Sequence, residues 1–135
     1  MSHFTNVQTK LKDLVCLKAA LEDLGLAYTE AEAGQKVQVK GYQGQTTGAA
    51  LSIKASKTYD VGVVVTEDGV ELVADWWGVE TTKGLTQQEF VQQLTQRYAY
   101  HKVKKEVEKR GYKLDMEEVS ADQSITLKVS KWGGR

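Results

Sequence analysis

The sequence predicts an α+β fold: a mainly antiparallel sheet of about 6–8 short strands with two helices packed on it. Three observations carry this. Apolar residues recur at helical spacing near residues 13–24 and again near 87–110. Most of the remaining chain alternates apolar and polar residues with period two, broken by hairpin-length turns. A parallel α/β sheet would need a helix in most connections, and only two helices are on offer.

Residues 2–9 are tolerant of extended structure and read as a first strand. Asp13 is placed to cap a helix that runs to Leu24 and stops at Gly25. Leu14, Leu17, Leu21 and Leu24 fall on one stripe of it, with Cys16 to the side as a small helical residue without a redox role. Val37 and Val39, then Leu51 and Ile53, mark short strands around the loop Gly41-Tyr42-Gln43-Gly44-Gln45-Thr46-Thr47-Gly48. That loop lacks the lysine of a P-loop and leads into no helix, so it is not a phosphate cradle.

Val61, Val63 and Val65 alternate before Glu67-Asp68-Gly69, and Val70, Leu72, Ala74 and Trp76 alternate after it, a hairpin signal. If the second strand continues to Trp77, the adjacent indoles of Trp76 and Trp77 point to opposite sides of the sheet. The long helix opens on a capping box, Thr86 with Glu89, flanked by Leu85 and Phe90 as a hydrophobic staple. Phe90, Leu94, Tyr98 and His101 lie along one face of its first half. Tyr100, Val103 and Val107 lie nearly opposite in its second half, so a bend near Ala99 or a second contact surface is expected. Tyr112, Leu114 and Met116, then Ile125, Leu127 and Val129, alternate around Asp122-Gln123 as a terminal strand pair, followed by a tail with Trp132.

The 135 residues fit one domain, 1–135, without internal repeats or linkers. Eighteen basic residues balance eighteen acidic ones, which argues against a dedicated nucleic-acid binder. The balance is uneven along the chain: 60–80 carries six acids and no Lys or Arg, and 97–113 carries seven bases against Glu106 and Glu108. The lone Cys16 excludes an intramolecular disulfide and agrees with a reducing compartment. No apolar stretch approaches the roughly 20 residues that span a bilayer, and the first residues lack the pattern of a secretory signal, so a cytoplasmic protein is expected.

No coherent catalytic set emerges. His3 and His101 belong to no ligand-spacing motif, and Cys16 has no local catalytic signature, so no metal or cofactor is expected. The paired acids Glu67-Asp68 and Glu117-Glu118 read as solvated turn and strand-end residues. Tyrosines interleave with bases in Arg97-Tyr98-Ala99-Tyr100-His101-Lys102, a composition that can stack nucleobases, but Tyr98 lies on the core stripe. The Ala74-Asp75-Trp76-Trp77-Gly78 stretch, aromatic and acidic, reads as a specific structural corner or a docking surface.

Several segments together carry a family resemblance: Met1-Ser2-His3-Phe4-Thr5, the early Leu-rich helix, Gly41-Tyr42-Gln43-Gly44, Tyr59-Asp60-Val61-Gly62, Leu72-Val73-Ala74-Asp75-Trp76-Trp77-Gly78, Gln96-Arg97-Tyr98-Ala99 and Ile125-Thr126-Leu127-Lys128-Val129. In these the chain resembles the hypothetical chloroplast frame thirty-five family of cyanobacteria and plastids, a family of unknown function, over nearly its whole length. The resemblance implies a cyanobacterial cytosol or plastid stroma, an association with photosynthetic metabolism, and an AAA-type ATPase or a ferredoxin-like protein as partner. It supplies no catalytic residues. The surface candidates it marks are His3, Tyr42, Gln43, Gly44, Asp60, Asp75, Trp76, Trp77 and Tyr98.

The favoured expectation is a non-enzymatic accessory protein that binds another protein. A ligand-binding module or enzyme with a pocket of Trp76 or Trp77, Asp75 and His101 is the alternative, and RNA binding the third.

Overall fold

The computed structural model describes residues 4–119 and 125–131. Five antiparallel strands form the main sheet: β1 (Thr5–Gln8), β2 (Tyr28–Glu30), β5 (Leu51–Lys54), β6 (Asp60–Thr66) and β7 (Gly69–Ala74), in the order β1-β7-β6-β5-β2. Between β2 and β5 the chain makes a separate hairpin of β3 (Val37–Lys40) and β4 (Thr46–Ala49), joined through a single 3-10 turn at Tyr42–Gly44. A second hairpin, β8 (Tyr112–Val119) with β9 (Ile125–Lys131), follows the long helix and folds against it. The helices are α1 (Leu14–Asp23), α2 (Trp76–Lys83) and α3 (Gln87–Lys109).

The α+β reading and both expected helices hold. Asp13 caps α1, its carboxylate accepting the amides of Val15 and Cys16. The Thr86–Glu89 capping box closes in both directions, satisfying two amides that would otherwise lack partners. The β6–β7 hairpin turns at Glu67–Asp68, with Thr66 opposite Gly69.

The two faces of the main sheet differ. Leu51, Ile53, Val61, Val63, Val70, Leu72 and Ala74 point to one side and bury Leu17, Leu21, Phe90 and Leu94 from α1 and α3. Cys16 joins this core, and burial, followed by the nearby Asp13 charge, raises its thiol above the usual range. The opposite face is covered by the β3–β4 hairpin, whose Val39 and Ala49 lie over Gly62. A side chain at Gly62 would come within 2.7 Å of a Val39 methyl, so glycine is what lets the hairpin seat here.

One expectation fails. The strand does not run on to Trp77; β7 ends at Ala74 and a third helix begins at Trp76. Asp75 takes the cap position, and its carboxylate accepts the Gly78 amide at 3.1 Å. Gly84, at φ 84°, ends the helix in the left-handed conformation that glycine adopts without strain. The two indoles are therefore about 100° apart around a helix axis, not on opposite faces of a strand.

The second apolar face of α3 is partly covered: Tyr100 and Val107 are half-buried, whereas Val103 stays 45% exposed. The Asp122–Gln123 turn, Trp132 and His3 lie outside the described residues.

Candidate functional site

The residues singled out from sequence divide between the two sheet faces. On the helix face, the N-terminal turn of α2 sets Trp76 inward, 8% exposed, edge-on to Phe90 with ring centroids 5.8 Å apart. Its indole N–H finds no acceptor among the described residues. Trp77, the next residue, is 56% exposed. It stands at the rim of an open groove of about 1240 Å³ between α2 and α3. Val7, Trp76 and Val91 supply apolar lining, and Gln87, Gln88, Gln92 and Gln96 the polar rim. Glu80 is the only charged side chain lining it among the described residues.

The groove borders β1, an edge strand paired only with β7 among the described residues. The Thr9 amide donates to the Val70 carbonyl, continuing the β1–β7 register. Antiparallel ladders alternate bonded and unbonded residues, so Asn6 and Gln8 turn their backbone N–H and C=O groups to the open edge. Val7 turns its side chain to the groove.

Asp60, at the start of β6, and Asp75, at the cap of α2, are 3% and 1% exposed. Each has one oxygen satisfied by the backbone: Asp60 Oδ2 accepts the Lys40 amide at 2.9 Å, and Asp75 Oδ1 the Gly78 amide. The second oxygen of each, Asp60 Oδ1 and Asp75 Oδ2, is buried without a hydrogen-bond partner among the described residues. Tyr59 packs its ring on Gly78, where any side chain would collide with it. Burial raises the Tyr59 phenol above its usual range, and the charge of Asp75 and then Tyr42 add to this. A surface cavity of about 440 Å³ opens beside Tyr59, lined by Lys40, Lys57, Thr58 and the loop from Gly41 to Gly44. Gln43 holds φ 52°, the one described non-glycine residue in left-handed backbone, and Tyr42 is exposed.

The structure does not bring Asp75 and His101 together. His101 Nε2 lies 2.6 Å from Asp23 Oδ2 at the seam between α1 and α3, where Arg97 also binds Asp23 at 2.8 Å. Tyr98 acts structurally, because its hydroxyl accepts the Lys12 amide at 3.2 Å and the Asp13 amide at 2.9 Å, tying α3 to the start of α1. No group of three or more His, Cys, Asp or Glu stands in metal-binding arrangement among the described residues. No helix among them is long and apolar enough to cross a membrane.

Sequence reasoning missed the glutamine rim and Tyr59. Gln87, Gln88, Gln92, Gln93 and Gln96 offered a signal, since an exposed helix face usually carries charges and this one carries amides. Tyr59, directly before Asp60, offered none that separates it from an ordinary core aromatic.

Fold and site thus describe an α+β protein with an open amide-rimmed groove on one sheet face and two buried carboxylates, one of them capping the groove's own helix. The chain belongs to the family described as "Protein of unknown function (DUF1257)", whose model matches residues 20–128. It is 36% identical over 138 aligned residues to "Uncharacterized protein ycf35" of Guillardia theta, 98% of each chain being covered. Proteins of the same description from Cyanophora paradoxa and Pyropia yezoensis are 33% and 34% identical, again over 98% of each chain. No solved structure matches the chain.

Proposed function

We propose that this protein is a non-enzymatic adaptor that captures an extended segment of another protein along β1, with that segment's side chains set into the α2–α3 groove. The observation that carries the reading is continuity: the exposed Trp77, the groove and the open edge of β1 form one surface. A strand added to β1 would bond to the outward groups of Asn6 and Gln8 and place alternate side chains over Val7 and Trp76. The groove's volume exceeds the roughly 300–1,000 Å³ usual for small-molecule pockets, which favours a peptide. Its lining selects the partner's chemistry: apolar anchors flanked by uncharged polar residues that pair with glutamine amides. The AAA-type ATPase and ferredoxin-like protein that the resemblance implies are the first proteins in which to seek such a segment.

A photo-crosslinking residue in place of Gln92 tests this in cyanobacterial lysate. We expect one discrete adduct whose crosslinked peptide is an apolar, uncharged segment. Trp77→Ala should abolish it while leaving the circular dichroism spectrum and melting temperature unchanged, since the side chain is mostly in water. An adduct that survives Trp77→Ala, or one mapping to a highly charged segment, removes the reading.

A further inference from the structure

We infer that the cavity beside Tyr59 binds a small phosphorylated ring compound of the mononucleotide class. Two turns form this cavity, and each is pinned. In the β3–β4 hairpin the Gln45 amide donates to the Tyr42 carbonyl at 3.0 Å, and the Gly41 amide donates to the Gln45 carbonyl at 2.7 Å. Between β5 and β6 the Ser56 amide donates to the Tyr59 carbonyl at 3.0 Å, and the Ser56 hydroxyl accepts the Tyr59 amide at 3.1 Å. The Thr82 hydroxyl of α2 donates to that same Ser56 oxygen, which ties the second turn to the helix. The first turn brings Lys40 to the cavity and the second brings Lys57. The Asp60 carboxylate holds the Lys40 amide and so fixes the strand from which that ammonium departs.

No carboxylate lines the cavity, and neither lysine forms an ion pair among the described residues. A concavity lined by charges of one sign gathers a ligand of the other. Lysine meets phosphate as a point charge, whereas the arginine fork is what suits a planar carboxylate. Two lysines without an arginine therefore fit phosphate. Thr58 adds a hydroxyl, and Tyr59, 9% exposed with its ring held against Gly78, adds a phenol. That phenol has no hydrogen-bond partner among the described residues. Burial keeps it protonated and hence a donor, the charges of Asp75 and then Tyr42 acting in the same sense. The ring of the ligand has its own partners. Tyr42 lines the cavity while 38% exposed, a face on which a base can stack. Gln43 holds φ 52° at a turn position that asparagine or glycine adopts more readily, and its amide can both donate to and accept from an adenine edge. A volume of about 440 Å³ suits one small molecule and offers no track for a polymer.

The test titrates the full chain with AMP at physiological ionic strength, read by calorimetry and by amide chemical shifts. We expect saturable binding, with shifts at Lys40, at Gly41 to Gly44 and at Thr58 and Tyr59 before any on α3. Adenosine and inorganic phosphate, each offering half of the recognition, should bind about tenfold more weakly or worse. Lys40→Gln combined with Lys57→Gln should weaken AMP about tenfold or more, and Tyr42→Ala several-fold. Lys109→Gln, an exposed lysine at the end of α3, should leave the affinity unchanged. Absence of saturable AMP binding would overturn the site, as would inorganic phosphate bound as tightly as AMP. Oligoadenylate bound more tightly than AMP would replace the small ligand with a nucleic acid and overturn it too. Shifts centred on α3 in the wild-type protein would do the same, whether or not the variants fold.

Discussion

Two pairs of aspartates meet opposite fates. Asp13 and Asp23 stand at the seam of α1 and α3, within reach of solvent, and basic side chains surround both: Lys105 and Lys102 at 2.7 and 3.5 Å from Asp13, Arg97 and His101 at 2.8 and 2.6 Å from Asp23. Asp60 and Asp75 are 3% and 1% exposed, and among the described residues no basic side chain pairs with either. The cations are thus spent where water already screens the charge and each pair contributes little. Long side chains from an exposed helix reach such a seam easily.

The contrast can be broken most forcefully at the lid. Gly62→Val would drive a side chain into Val39 and Ala49, costing about 2–3 kcal/mol of overpacking. Urea denaturation should show a lower midpoint with an unchanged slope, and an unchanged midpoint would mean that the hairpin does not sit on β6. Next in size is Asp13→Ala, expected to cost about 1–2 kcal/mol through the lost helix cap. This residue also sharpens the comparison through pH. The Lys105 hydrogen bond outweighs desolvation and holds the Asp13 carboxyl well below its ordinary 3.8. For Asp23, burial opposes the shift, but hydrogen bonds from Arg97 and His101 outweigh it and the carboxyl is lowered as well. A carboxyl depressed on folding stabilises fully above its unfolded value and loses that contribution as pH falls towards the folded one. Stability should therefore fall below about pH 4, less steeply in Asp13→Ala than in wild type; parallel acid limbs would show that Asp13 is not held by its cations. Smallest is Lys102→Ala, whose half-exposed pair should contribute below about 0.3 kcal/mol in the same assay.

Much of this frame was legible in the chain. The Glu67-Asp68-Gly69 hairpin, the Asp13 cap and the Thr86–Glu89 box are local, each written within a few residues of where it acts. Helix α2 was not, because Val70, Leu72, Ala74 and Trp76 keep strand alternation across the boundary. The competing signal was present: Asp75 as a cap, Lys83 in the last turn and Gly84 beyond it. Asp75 came forward from the aromatic corner itself and Asp60 through the family resemblance. The contact that orients Asp60 could not be read, since it depends on a hairpin, distant in sequence, bringing the Lys40 amide to it. The groove was invisible for a like reason: Val7, Trp77 and Gln92 meet only once three elements are assembled.

Asp75 Oδ1 accepts the Gly78 amide and so starts the helix whose first residues seat Trp76 in the core and hold Trp77 at the groove. The direction of the exposed indole is thus set by a neighbouring side chain that is itself only 1% exposed.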